Sequence, residues 1–210
     1  MPTRVVTLFH ATGAGGETIG RTVAKVLGFR YIDEEIISLA AQKEHIDAAL
    51  VADAERRKTF LARLFAGLSE TPIMDEVGSG MLLDEVAVTR SDHLRALIVD
   101  AIHETAKRGQ AVIVSHAASI PLAGRDDVLR VLITASADTR AKRVAQDGRS
   151  GVSDAVKAIK DSDAGRADYF QRFYQIDREL PTHYDLVINT DALTAEDAAD
   201  IIGAAARRRP

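Results

Sequence analysis

A glycine-rich turn near the start of the chain is the feature that most constrains its fold. Residues 4–10 form a short, mostly apolar run, and residues 11–16 read Ala-Thr-Gly-Ala-Gly-Gly. From residue 18 to 27 the apolar positions recur at helical spacing, and Gly28 suits a helix C-cap. A buried strand, a glycine turn and a helix predict the first βα unit of a parallel α/β sheet.

The rest of the chain predicts further strands interleaved with helices. Strands are expected at residues 29–32, 111–114, 128–134 and 186–189. A helix is expected from a cap at Ser91 or Asp92 to residue 108. Further helices are expected at residues 136–147, 153–175 and 194–207, with Ser136 and Thr194 as N-caps. This alternation predicts an α/β fold with a five-stranded parallel sheet flanked by helices.

Composition narrows the class of protein. The 210 residues, 46% of them hydrophobic, suffice for one α/β domain over residues 1–210. A net charge of −4 argues against a nucleic-acid partner, and no apolar run reaches the roughly 20 residues that span a bilayer. The chain has no cysteine, which excludes disulfides and fits a cytoplasmic protein.

The glycine turn is a candidate phosphate site. Unpaired backbone amides converge where a loop opens a helix, and the helix dipole there favours an anion. We expect a nucleotide or a small phosphorylated ligand to contact this segment, Gly13, Ala14, Gly15, Gly16, Glu17 and Thr18.

Five stretches of the chain carry a family resemblance: residues 13–21, 24–33, 131–143, 163–170 and 184–190. They resemble the cytidylate kinases, and more closely the divergent cytidylate kinase-like family. The resemblance implies a P-loop NTPase fold with a helical insertion for the nucleoside monophosphate (NMP) at about 34–90 and a lid at about 147–175. It also implies ATP and Mg²⁺ as cofactors.

The loop departs from the Walker A pattern. Aligned through Thr18, the lysine position holds Gly16 and the magnesium-binding hydroxyl position holds Glu17. Shifting the alignment by one places Glu17 at the lysine position, so neither alignment supplies a cation. Glu17 is either a magnesium ligand or a first-turn acid favoured by the helix dipole. If a cation is the missing element, Gly16→Lys is expected to raise activity.

Charged residues elsewhere complete the candidate site. Arginine suits bidentate phosphate contacts and can stabilise charge during phosphoryl transfer, so we expect catalytic roles for Arg143, which precedes the lid, and for Asp163 and Arg166 within it. The resemblance implies substrate contacts for Asp33, Arg95, Arg140 and His116, although the family usually has an arginine where His116 stands. Each of these residues also fits an ordinary structural role, such as a helix cap or a solvated, salt-bridged helix face.

Three functions remain open from the sequence. The first is transfer of the ATP γ-phosphoryl group to CMP or a related acceptor. The second is a non-catalytic nucleotide-binding regulatory or sensor protein, and the third is a kinase for another small metabolite. The apolar face of residues 48–68 suits either packing within a monomer or a homodimer interface.

Overall fold

The computed structural model describes most of the chain outside one long central stretch. The described residues are 2–33, 36, 38–40, 95–114, 117–148 and 151–208. The chain divides into two compact units, one of Met1–Glu35 with Ile102–Pro210 and the other of Ile36–Ala101. The expected helical insertion at about 34–90 and the apolar face at 48–68 therefore fall almost wholly outside the described residues.

The first unit is built on a parallel sheet with five strands in the order β2-β3-β1-β4-β5. Every neighbouring pair is parallel, which confirms the predicted fold class. Because β1 pairs with β3 on one side and β4 on the other, its carboxyl end lies near the middle of the sheet edge. The strands are β1 Val5–His10, β2 Arg30–Ile32, β3 Ala111–Val114, β4 Val128–Thr134 and β5 Leu186–Asn189.

This unit includes the helices α1 Gly16–Leu27, α2 Ala137–Gly148, α3 Val152–Tyr174 and α4 Ala195–Arg208. The hydroxyl of Ser136 accepts the Thr139 amide at 3.3 Å, and that of Thr194 accepts the Asp197 amide at 3.1 Å, so both predicted N-caps are confirmed. Helix α1 begins at residue 16 rather than 18, because Gly15 takes the left-handed conformation and caps it. Residues 95–108 are also helical, and Pro181–His183 form a 3₁₀ turn.

The main core lies between the sheet and helices α1 and α4. Buried side chains of β1, β3 and β4 pack there with Ile19, Val23 and Ile202, each at most 1% exposed. A Cβ on Gly203 would lie 2.9 Å from Val26, so α1 and α4 pack closely. This packing anchors both the strand and the helix that flank the glycine turn. Along the described parts of the chain, no helix has the length and apolar character needed to cross a membrane.

A second, aromatic cluster attaches α3 to the end of β1. Tyr169, Phe170 and Phe173 are buried together, and Phe9 packs against them. The Phe9 and Phe170 rings meet edge to face, with centroids 5.4 Å apart. Helix α3 is therefore held next to the point where the glycine turn leaves the sheet.

Candidate functional site

The turn between β1 and α1 has the backbone of an anion site. Gly13 and Gly15 have φ angles of 80° and 82°, which glycine adopts at no steric cost. The Ala14 amide donates to the Ala11 carbonyl oxygen at 2.9 Å and closes the turn. No described side chain caps α1, so its first-turn amides are available to a bound anion.

Helix α2 packs directly against this turn. A Cβ on Gly13 would lie 2.7 Å from the Arg140 carbonyl oxygen and 3.0 Å from the Arg140 Cα. A side chain at residue 13 is therefore excluded by backbone, which does not move as easily as the end of a flexible side chain.

Thr190 and Arg143 tie the loop to the sheet and to α2. The buried Thr190 hydroxyl donates to the Ala14 carbonyl oxygen at 3.0 Å. Arg143 donates from Nη1 to the Thr190 hydroxyl at 3.0 Å and from Nη2 to the Thr190 carbonyl oxygen at 2.7 Å. Its Nη1 also lies 3.4 Å from the Gly13 carbonyl oxygen. In this arrangement Arg143 supports the loop, and its expected catalytic role stays a prediction.

A cavity of about 220 Å³ opens beside the loop. Its walls come from the loop and first turn of α1, from Arg143 and Thr190, and from the segment that begins α4. A planar guanidinium on one wall suits stacking with a flat aromatic group. Thr190 was not among the residues expected from sequence; its one signal is its position directly after β5, at the carboxyl edge of the sheet.

Arg140 and Asp163 pair with each other. Arg140 is 6% exposed, and its Nη1 and Nη2 donate to the two Asp163 carboxylate oxygens at 2.9 and 2.5 Å. The pair joins α2 to α3. The substrate contact expected for Arg140 and the catalytic role expected for Asp163 stay predictions, and in this structure both side chains hold the two helices together.

Arg166 reaches from α3 toward the end of β1. Its Cζ lies 5.4 Å from the Phe9 ring centroid, and its Nη2 lies 3.4 Å from a Glu179 carboxylate oxygen. The Tyr184 hydroxyl donates to the other Glu179 oxygen, and burial followed by this hydrogen bond raises the pKa of Tyr184. The Arg166 Nη1 is buried and has no hydrogen-bond partner within the described part of the chain. A buried donor of this kind suits an anionic ligand.

Four charged or titratable groups share the neighbourhood of the loop. Burial lowers the pKa of His10, and the charge of Arg166 acts in the same direction. The Ala11 carbonyl and the charges of Glu17 and Asp33 act to raise this pKa. His10 ends β1 and was not singled out from sequence. Glu17 is exposed in the first turn of α1, next to the loop.

Asp33 is held by a neighbouring tyrosine. The Tyr31 hydroxyl donates to Asp33 Oδ2 at 3.1 Å. Burial, followed by the Asp33 charge and this hydrogen bond, raises the pKa of Tyr31 to about 12. Asp33 is therefore oriented at the end of β2, near the carboxyl edge of the sheet.

The substrate contacts expected for two other residues stay predictions. His116 lies outside the described residues, and Arg95 belongs to the unit of Ile36–Ala101. The described residues contain no group of three or more His, Cys, Asp or Glu side chains placed to hold a metal ion. The metal role of Glu17 stays a prediction, because Mg²⁺ is often held by one or two carboxylates together with substrate phosphates.

The sheet order and the glycine turn at its centre define a P-loop kinase fold. A shikimate kinase from Acinetobacter baumannii shares this fold, with a TM-score of 0.51 and 14% identity over 95% of this chain and 90% of that one. An uncharacterized protein from Eubacterium ventriosum shares it too, with a TM-score of 0.66 and 17% identity over 98% of this chain and 99% of that one. The sequence model of the cytidylate kinase-like family matches residues 5–192. The chain belongs to that family, as its motifs indicated.

Curated relatives include kinases and one other enzyme. The chain is 37% identical over 76 residues to an S-adenosylmethionine-dependent nucleotide dehydratase from Lacinutrix mariniflava, spanning 36% of this chain and only 16% of that protein. It is 38% identical over 74 residues to the cytidylate kinase of Sulfolobus acidocaldarius, spanning 35% of this chain and 41% of that one. Identity to the cytidylate kinase of Ignicoccus hospitalis is 25% over 201 residues, 94% of this chain and 96% of that protein.

Proposed function

We propose that this chain is an ATP-dependent nucleoside monophosphate kinase that transfers the γ-phosphoryl group to CMP or a related pyrimidine monophosphate. The observation that carries the proposal is the loop of residues 11–16. This loop leads into the N-terminus of α1, where no described side chain caps the backbone amides, and it lies beside a cavity of about 220 Å³. The chain belongs to the cytidylate kinase-like family.

The phosphate donor occupies the loop in this proposal. First-turn amides of α1 hold its phosphates, and the cavity accepts its base against the Arg143 guanidinium. Mg²⁺, when bound, would supply neutralisation of phosphate charge. The exposed carboxylate of Glu17 is an oxygen ligand of the kind that Mg²⁺ prefers.

The acceptor and the transferred group require orientation more than acid–base chemistry. The attacking atom is already a phosphate oxygen, so positioning and charge stabilisation supply most of the catalysis. We assign Asp33, Arg95 and His116 to the acceptor side. Arg166 is the group that stabilises developing charge, because Glu179 holds one of its nitrogens and the buried Nη1 remains available.

The test is an ADP-release assay with ATP, Mg²⁺ and a panel of CMP, dCMP, UMP and AMP. We expect turnover with a pyrimidine monophosphate, and Arg166→Ala is expected to lower kcat by about 10²–10³-fold, as loss of a transition-state donor does. The matched control is Arg172→Ala on the same helix, whose guanidinium lies over Phe173 and 3.6 Å from Asp168. Equal losses in the two variants would contradict a catalytic role for Arg166.

One observation favours a second function, a non-catalytic nucleotide-binding regulatory or sensor protein. Gly16 stands at the lysine position, and the His10 ring lies where a side chain at residue 16 would begin. Calorimetry with ATP distinguishes the two functions. Measurable ATP binding without turnover of any acceptor would support the sensor and reject the kinase.

A further inference from the structure

At two positions of the Walker A pattern, this chain departs from the pattern in opposite ways. With its second glycine at Gly15, the pattern G-x-x-x-x-G-K-[ST] places its first glycine at residue 10 and its lysine at residue 16. This chain has His10 and Gly16 at those positions. A nitrogen-bearing side chain therefore stands where the pattern has glycine, and a glycine stands where the pattern has lysine.

The structure shows that these two positions compete for one space. A Cβ on Gly16 would lie 2.1 Å from His10 Cγ and 2.4 Å from both His10 Cβ and Cδ2. Neither backbone is free to shift, because His10 pairs with Ile133 in the sheet and Gly16 is the buried first residue of α1. With histidine at residue 10, only glycine fits at residue 16.

The His10 ring also lies among the groups that surround the loop. It is half-buried, its Nδ1 lies 3.4 Å from the Ala11 carbonyl oxygen, and its charged neighbours are Glu17, Asp33 and Arg166. The Nδ1–H of this partly exposed imidazole faces the Ala11 carbonyl oxygen, so the second ring nitrogen donates to a phosphate oxygen when the ring carries both protons, the form that a nearby anion favours.

We propose that His10 and Gly16 are a reciprocal replacement of the Walker A glycine and lysine, in which the His10 imidazole is the side chain that contacts the nucleotide phosphate. This rests on the proposed binding of a nucleotide in the loop, but not on turnover. It predicts the opposite of the expectation that Gly16→Lys raises activity, because the Cβ of a lysine at residue 16 would lie 2.1 Å from His10 Cγ.

The test is a double-variant cycle of His10→Gly and Gly16→Lys, with ATP affinity measured by calorimetry and Tm by circular dichroism. We expect His10→Gly to weaken ATP binding about tenfold, the order of one hydrogen bond. Gly16→Lys alone is expected to lower Tm by several degrees, as an overpacked site does. The double variant, with a glycine at residue 10 and a lysine at residue 16, is expected to recover Tm and to bind ATP at least as tightly as the native chain.

Two further variants guard against misreading a folding defect. His10→Asn keeps a nitrogen donor and is expected to bind ATP more tightly than His10→Gly. Lys25→Ala removes an exposed cation at the far end of α1 and should leave ATP affinity unchanged. Additive effects of the two loop substitutions on Tm, or unchanged ATP affinity in His10→Gly, would overturn the proposal.

The readouts separate this inference from the kinase proposal. ATP binding without turnover rejects the kinase proposal, and the double-variant cycle still tests this inference because it measures ATP affinity and Tm. Turnover by the native chain with an unaffected His10→Gly variant rejects the inference and retains the kinase. A native chain that binds no ATP rejects both.

Discussion

Arg140 and Asp163 form a bidentate ion pair between α2 and α3, with donor–acceptor distances of 2.9 and 2.5 Å. The Arg140 side chain is 7% exposed and that of Asp163 is 39% exposed, so loss of the carboxylate leaves a buried cation unpaired. We predict that Asp163→Asn lowers the free energy of unfolding by about 1–3 kcal/mol. Urea denaturation measures the difference.

Asp168→Asn is the matched control on the same helix. Its partner Arg172 lies 3.6 Å away at i+4, and both side chains are 35–40% exposed. An exposed helical pair of this kind contributes about 0.3–0.5 kcal/mol. If the two variants lose the same stability, the Arg140–Asp163 pair is not the attachment between α2 and α3.

Gly13 and Gly15 share a left-handed conformation but differ in the space around them. A Cβ on Gly13 would lie 2.7 Å from the Arg140 carbonyl oxygen, whereas one on Gly15 would meet no atom of the described residues within 4 Å. Gly15→Ala is therefore expected to cost only the backbone term, about 1–2 kcal/mol. Gly13→Ala adds a collision with backbone and is expected to cost more in the same denaturation assay; an equal cost would show that α2 yields to the loop.

The Thr190 hydroxyl links the loop, α2 and β4, since it also lies 3.3 Å from the carbonyl oxygen of Thr134 at the end of β4. Thr190→Val keeps the shape of the side chain but leaves the Ala14 carbonyl without its donor and the Arg143 Nη1 without its closest acceptor. We predict a loss of about 1–3 kcal/mol in the free energy of unfolding, together with weaker ATP binding, because these groups line the cavity.

Thr22→Val provides the comparison for Thr190. The Thr22 hydroxyl donates to the Thr18 carbonyl oxygen within α1, a local bond that the helix does not require. We expect a change within about 0.5 kcal/mol. Similar losses for both variants would mean that hydroxyl loss, and not the link to the loop, causes the effect.

The Tyr31–Asp33 contact predicts a dependence of stability on alkaline pH. Burial and Asp33 raise the pKa of Tyr31 to about 12, above the unfolded value of about 10. The folded state then holds the phenolic proton more tightly, so this stabilisation is complete below pH of about 10 and is lost as pH rises toward about 12. The difference in unfolding free energy between the native chain and Tyr31→Phe should shrink over this range.

A second variant identifies the cause of the Tyr31 shift. Asp33→Asn removes the carboxylate charge, so the ultraviolet absorbance titration of Tyr31 should move to lower pH. The Tyr31→Phe spectrum, subtracted at each pH, isolates this tyrosine from the others. An unchanged midpoint in Asp33→Asn would show that burial alone raises the pKa.

Much of the fold was predictable from short-range patterns. Strands at residues 111–114, 128–134 and 186–189 match their predicted limits, because each is a short run of mostly apolar residues; Arg130 is the charged exception within 128–134. The start of α1 was predicted two residues late. A glycine in the left-handed conformation ends the loop there, and periodicity of apolar residues does not report a backbone angle.

The contacts within the candidate site were predictable only where the residues are neighbours in the chain. The phosphate loop is local, so its glycines were identified from sequence. Thr190 and Ala14, in contrast, are 176 positions apart, and the link from Arg166 through Glu179 to Tyr184 depends on how α3 and the following segment pack. Nothing in the spacing of these residues indicates that they meet.

The sequence by itself determined the glycine turn, the parallel sheet that carries it and the family to which the chain belongs. Tertiary structure decided the surroundings of three arginines of identical chemistry. Arg140 pairs with Asp163, Arg143 donates to Thr190, and Arg166 has a buried Nη1 without a hydrogen-bond partner among the described residues. Tertiary structure also placed the His10 ring against Gly16. The physical reason is that the role of a charged or aromatic side chain depends on its burial and nearest partners, which packing between distant segments sets.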